Sequence, residues 1–325
     1  MPSGTKEYLL KRVLIGLLMV PAVIVFTFVL LHMTPGDPAV LMAGEGASPE
    51  YINTIRETYG LNKPLHEQLY IYLSKLFTGD LGYSFTFKRP VLNVIFERLP
   101  TTLLLAGTGA LIAIGLGIVL GVVAAIRKDT ISDNIISSVT LMLYSIPIFA
   151  LAQFLVLFFV ISFRLFPLSG YISIGVSFSD PVAYVLNVLW HLVLPATSLA
   201  LIQMATYVKL TRASMIEALY SNYIVAAKAR GLQSRSILFK HALRNALLPV
   251  ITVAGIQLGL IIGGVVITET IFSWPGVGRL TIESIESRDF PLLMGIFVFT
   301  SVSVIIANIV TDIVYTFVDP RVKLR

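Results

Sequence analysis

Apolar residues along this chain gather into six runs free of Asp, Glu, Lys and Arg: Val13–Met33, Thr101–Ile126, Ile135–Phe163, Val182–Val208, Ala246–Thr268 and Phe290–Thr311. A helix needs about 20 apolar residues to cross a bilayer, so each run predicts a transmembrane helix. The third and fourth exceed that minimum and leave room for interfacial or loop residues. Two polar stretches interrupt the pattern. Residues 34–100 follow the first run, and residues 209–245 separate the fourth from the fifth.

Both stretches carry helical periodicity of their own. In 34–100, Pro49-Glu50 followed by Ile52, Ile55 and Tyr59 predicts a short amphipathic helix ending near Gly60. Leu65, Leu69, Tyr72, Leu73 and Leu76 predict a second. Turns are expected at Pro35-Gly36-Asp37-Pro38 and Gly79-Asp80-Leu81-Gly82. In 209–245, Met215, Ile216, Leu219, Tyr223, Ile224 and Ala227 keep the 3.6-residue period, and Gly231 suits the position just past a helix end. Ser214 and Glu217 have capping-box spacing, and Ser234 is placed to cap a second helix carrying Ile237, Leu238 and His241. The prediction is two short helices joined at Gly231, with small Ala226, Ala227 and Ala229 beside the joint. Such a knob suits a protein groove; an amphipathic hairpin lying on anionic lipid is the alternative.

Composition agrees with a membrane protein. Hydrophobic residues make up 56% of the chain and charged residues 13%, against about 25% charged in soluble domains. The chain has no cysteine, which excludes disulfides and Cys-ligated metals. A net charge of +6 is compatible with nucleic-acid binding, but the basic residues flank apolar runs as membrane topology requires. Segment 209–245 holds seven Lys/Arg (Lys209, Arg212, Lys228, Arg230, Arg235, Lys240, Arg244) against one acid, Glu217. The predicted N-terminal, 127–134, 209–245 and C-terminal segments together carry 15 of the 24 basic residues, which places both termini and the 209–245 loop in the cytoplasm. The first run follows Lys6, Lys11 and Arg12, as a secretory signal would. It is too long for a signal core and lacks a small-x-small cleavage site, so it is read as a retained helix. Residues 1–325 form one membrane domain, with 34–100 outside.

Within the runs, small and polar residues mark candidate contacts. Gly255, Gly259 and Gly263 recur every four residues, as do Gly117 and Gly121, and predict close helix packing. Pro147 and Pro195 predict kinks that either line a path or are accommodated by packing. Gln153, Gln203, Gln257, His191 and Asn308, with Tyr144 and Ser145 beside Pro147, are candidates to face a path or to bond helix to helix. Glu269 and Asp312 stand near run ends and read as interfacial. No carboxylate relay is present to favour an ion-driven transporter. No Gly-x-x-x-x-Gly-Lys-Ser/Thr loop is present either, so nucleotide hydrolysis is not expected here. A membrane scaffold that binds a soluble ATPase without conducting remains the non-transport alternative.

The segment IVAAKARGLQSRSILFKHALRNALLPV at 224–250 resembles the EAA loop of ABC importer permeases, in particular the B-type subunit of dipeptide, oligopeptide and nickel systems. Val225-Ala226-Ala227 stands at the Glu-Ala-Ala position, Gly231 at its glycine and Leu248-Pro249 at its closing pair. A valine replaces the glutamate and the gap to Leu-Pro is longer, as in the peptide branch. Further strings fit in order: Pro35–Pro38, Gly60–Leu65, Gly79–Ser84, Arg98–Thr102, Ser145–Pro147, Glu269–Arg279 and Asp319–Arg321.

The resemblance implies an all-α type I permease of six transmembrane helices in a prokaryotic inner membrane. It implies a homologous permease as heterodimer partner, two cytoplasmic ATPase subunits and an extracytoplasmic binding protein. ATP and Mg would reside in the ATPases, with no cofactor or metal in this chain. Val225, Ala226, Ala227, Gly231, Leu232 and Arg235 would couple to the ATPases. Tyr144, Ser145, Pro147, Gln153, Gln203 and Gln257 are expected along the path. Phe272 and Trp274 are expected either to close the outer mouth or to anchor at the interface. Peptides are the expected substrate, with nickel chelates, glutathione or oligosaccharides as alternatives.

Overall fold

The structure, a computed structural model, describes residues 3–33, 37, 39–40, 47–176, 180–261 and 265–318. Among these, helices account for nearly all the order. The first run, all but Met33, lies within α1 (Ser3–His32). The polar stretch after it forms α2 (Pro49–Tyr59) and α3 (Leu65–Phe77), as the periodicity predicts. Ser48 caps α2 through its side chain, which accepts from the Tyr51 amide, and Gly60 ends it at φ 65°. A hydrogen bond from Arg56 holds the Asp37 carboxyl below its ordinary pKa. The expected turn at 35–38 otherwise lies outside the described residues.

A two-residue hairpin, β1 (Tyr83–Ser84) with antiparallel β2 (Arg89–Pro90), leads into α4 (Val91–Ile126). At 36 residues, α4 is about 54 Å long at 1.5 Å per residue. It starts ten residues before the apolar run and serves as the spine of the bundle. The third run is not one kinked helix. It is α5 (Ile131–Ser145) and α6 (Ile148–Leu155, continued by π-helical Val156–Ser162), bent by 103° at the break. Pro147 is the residue before α6, so it begins a helix instead of bending one. Its missing N–H is no loss at a helix start.

The fourth run continues without interruption into the polar loop, forming α7 (Pro181–Leu219) with Pro195 buried inside it. Ser214 and Glu217 therefore lie in the last two turns of α7 and not at a helix start. After a break at Tyr220–Ser221 comes α8 (Asn222–Ala229), then α9, composed of Ser234–Ser236, π-helical Ile237–Ala242 and Leu243–Leu260. Gln233 occupies the cap position, so Ser234 is the first helical residue and not the cap. The fifth run does not stay helical to Thr268: α9 ends at Leu260, and α10 (Val266–Ile271) is separate. Two further helices close the chain, α11 (Val277–Glu286) and α12 (Phe290–Val318).

Among the described residues, four helices are long and apolar enough to cross a membrane, and the bent α5–α6 pair makes a fifth. The described apolar part of α1, Leu14–Val29, is shorter. Packing is closest between α4 and α7. A Cβ added at Gly117 would lie 2.3 Å from Tyr207 Cβ, and one at Gly121 would lie 2.6 Å from Thr211 Cβ. The Gly117/Gly121 repeat is thus a close backbone approach within one chain. Of the other repeat, Gly255 and Gly259 lie on α9 and Gly263 is outside the described residues.

Candidate functional site

Two ends of α4 carry the polar chemistry. At its C-terminal end, Val122 and Ala125 pack with Met215, Ala218, Ile224, Ala227, Ile237, Ala242 and Ala246. This cluster ties the end of α7, α8 and the start of α9 to the spine. Within α8, Ile224 and Ala227 are buried, while Val225 is 60% exposed and Ala226, Lys228 and Ala229 also face outward, as does Arg230 just past its end. Leu232 and Arg235 are exposed beyond the joint.

Gly231, at φ 74°, terminates α8. Its amide donates to Lys228 O at 2.9 Å, and the Leu232 amide donates to Ala227 O at 3.3 Å. These two bonds make a Schellman turn, which needs the left-handed conformation that glycine adopts without strain. The expected pair of helices joined at Gly231 is therefore present, but α8 begins at Asn222 and α9 runs on into the fifth apolar run. The six residues expected to couple fall on one small projection, with Ala227 as its buried root.

Two turns back along α7, Arg212 grips Asp133 at the start of α5. Nε donates to Oδ1 at 2.6 Å and Nη2 to Oδ2 at 2.7 Å. The Asp133 side chain is 2% exposed. It also accepts from the Asp129 amide at 3.0 Å.

The opposite end of α4 is built differently. Glu269 on α10 is fully buried, not interfacial as its place in the sequence suggests. It accepts from Thr102 Oγ1 at 2.8 Å and from the Arg279 amide at 2.9 Å. Thr102 Oγ1 in turn accepts from the Val277 amide at 2.8 Å. Gly276 and Gly278 leave the space that the carboxylate fills. Trp274 is also fully buried, donates from Nε1 to Thr101 O at 2.8 Å, and meets Tyr171 edge to face at 5.0 Å. Phe272 is buried against α6 and α7. Neither aromatic is an exposed interfacial anchor. A second buried carboxylate, Asp289, accepts from Ser84 Oγ at 2.6 Å, the Thr86 amide at 3.0 Å and the Leu292 amide at 3.2 Å. It pins the hairpin to the start of α12.

The expected path residues lie on α7, on α9 and around the α5–α6 break. Gln257 on α9 accepts from Tyr207 OH of α7 at 2.6 Å, a helix-to-helix bond. Gln203 is half-buried, whereas Tyr144, Ser145, Pro147 and Gln153 are exposed around the α5–α6 break. His191 Nδ1 sits 2.8 Å from Asn187 O in its own helix.

Residues 117–324 match the family described as binding-protein-dependent transport system inner membrane component, and residues 6–106 match its N-terminal counterpart. The chain belongs to this family. It is 41% identical over 315 residues to a putative peptide transport system permease protein of Brucella abortus, covering 97% of this chain and 98% of that one. It is 36% identical over 318 residues to a probable peptide ABC transporter permease protein of Sinorhizobium fredii, with 97% and 99% covered. It is 35% identical over 334 residues to the dipeptide transport system permease protein DppB of Escherichia coli K12, with 98% of each covered. This inner membrane component is therefore a multi-pass subunit of an ABC importer in a prokaryotic inner membrane. It is not an enzyme, since ATP hydrolysis in the family belongs to separate ATPase components. A substrate-binding protein completes the system.

The sequence did not single out Asp133, Arg212, Thr102 or Asp289 as site residues. Asp133 and Arg212 stand just outside two apolar runs with opposite charge, which was a usable signal. For Thr102 the sequence offered only its place in the Arg98–Thr102 string.

Proposed function

We propose that this inner membrane component forms, with a homologous permease as heterodimer partner, the path by which di- and oligopeptides enter the cytoplasm. The chain crosses the membrane six times with both termini inside. Residues 34–100 lie outside and 209–245 lie inside, where the loop couples to one of two ATPase subunits. ATP and Mg stay in those partners, and the chain needs no cofactor. The peptide assignment rests on the names of the relatives.

The coupling assignment rests on one observation: α8 buries Ile224 and Ala227 in the cluster that joins α4, α7 and α9, and it presents Val225 and Ala226 outward. Small side chains let a partner groove approach closely, and the buried face passes any displacement directly to α4, α7 and α9. Phe272 and Trp274 shape the outer mouth from within, as packing beneath it.

Uptake of a labelled dipeptide, measured per ATP hydrolysed and per permease in the membrane, tests the coupling. Gly231→Val should lower this ratio about tenfold, the scale of a typical coupling free energy. A ratio equal to wild type would remove Gly231 from the coupling role.

A further inference from the structure

The Asp133–Arg212 pair joins two elements that the coupling reading leaves separate. Arg212 sits on α7 seven residues before its end at Leu219, where the projection attaches through Tyr220 and Ser221. Asp133 is the third residue of α5, whose other end is the 103° break at Ser145–Ile146–Pro147. The 15 residues of α5 span about 22 Å. A rigid helix gripped at one end delivers a displacement to the other, and here the other end is a hinge in the middle of an apolar run.

The grip has the properties of a strut. Two parallel bonds between a guanidinium and a carboxylate fix orientation as well as distance, which a lysine at Arg212 would not do. The carboxylate is held at its back as well: the Asp129 amide donates to Oδ2, and Ser137 Oγ lies 3.4 Å from Oδ1. Asp129 adopts φ 61° so that its amide reaches inward. On the far side of Arg212, Thr211 lies against Gly121 of the spine. Side chains elsewhere along α5 and α7 pack by apolar contact, and such faces can slide; a bidentate ion pair with a buried carboxylate moves as one piece.

From this geometry we infer that Asp133 and Arg212 are positioning residues for transport. They carry movement of the projection, along α5, to the break that shapes the third apolar run. The inference rests on the proposed coupling role of the Gly231 projection.

The test uses the complete importer, with both permeases, the ATPases and the binding protein in vesicles, and a labelled dipeptide as probe. Uptake per ATP hydrolysed is compared for Asp133→Asn, Arg212→Lys, the double variant and Gly231→Val, each normalised to permease present. Asp133→Asn keeps the side chain's shape and should lower the ratio about tenfold, within the range seen for mutations along coupling networks. Arg212→Lys keeps the charge without the fork and should fall between that variant and wild type. The double variant should lose no more than Asp133→Asn alone, because a strut is broken once. If Gly231→Val lowers the ratio and neither single variant does, the strut is overturned and the coupling reading stands. If all variants keep the wild-type ratio, the coupling reading itself fails. Loss of permease from the membrane with a normal ratio assigns the pair to folding alone, which also overturns the inference.

Discussion

The two ends of α4 hold glycines and carboxylates for opposite purposes. At the Thr102 end, Gly276 and Gly278 create room for Glu269, and hydroxyl and amide donors satisfy that carboxylate away from solvent. At the Ala125 end, Gly231 has nothing within 4 Å of where a Cβ would stand. There the glycine supplies a backbone conformation and no space. Asp133 is buried at this end too, but besides the Asp129 amide it is held by the two-pronged grip of an arginine on another helix. The first end is a clamp in which a hydroxyl and an amide from two other helices close on one carboxylate. The second is a projection whose outer face is exposed and whose root is tied to three helices. On the proposed topology, the clamp lies outside and the projection inside. A transporter that receives force from a cytoplasmic partner needs that asymmetry: rigid where the outer segments meet, addressable where the partner docks.

Glycine substitutions sharpen this contrast. The largest effect is expected for Gly278→Ala, whose Cβ would lie 2.7 Å from Val266 Cα and 2.8 Å from its backbone nitrogen. Backbone cannot yield as a side-chain tip can, so stability should fall by about 3 kcal/mol. A drop in the melting temperature of the purified complex would register it, and an unchanged value would mean that the clamp is loose. Gly231→Ala meets no atoms and carries only the strain of φ 74°, about 1 kcal/mol. The same melting experiment should show a shift about one-third as large; an equal shift would erase the distinction between the two ends.

Much of this fold was legible in the apolar runs, because a stretch that long without charge has one solution in lipid, a helix. The ends of the helices were less so. Nothing between Val208 and Leu219 breaks a helix, and the amphipathic period of the loop is the same as that of the helix feeding it. The two therefore merged into α7, and the real break fell at Tyr220–Ser221. There the Ser221 hydroxyl donates back to Ala218 O instead of capping α8, so its sequence signal was weak. Gly231 was readable because a left-handed helix terminus has a residue preference of its own. Pro147 inside an apolar run predicts a kink, but Ser145-Ile146-Pro147 ends one helix and begins another. Glu269 was misplaced because its burial is purely tertiary: Thr102 is 167 residues away, and no local pattern announces that a hydroxyl and a pair of glycines will meet it. The Asp133–Arg212 pair, 79 residues apart, escaped notice for the same reason.

The absence of cysteine makes the central claim directly accessible. Single variants Ala226→Cys and Ala227→Cys, paired with a short thiol-reactive cross-linker in the assembled importer, compare the outer and rooted faces of α8. Both substitutions are small, and the exposed Ala226 site should shift stability by less than about 0.5 kcal/mol. Docking through the projection predicts cross-linking to an ATPase subunit from position 226, sensitive to ATP, and none from position 227. A cysteine at 226 that stays open to a water-soluble thiol reagent in the full complex and never links to the ATPase would contradict the account.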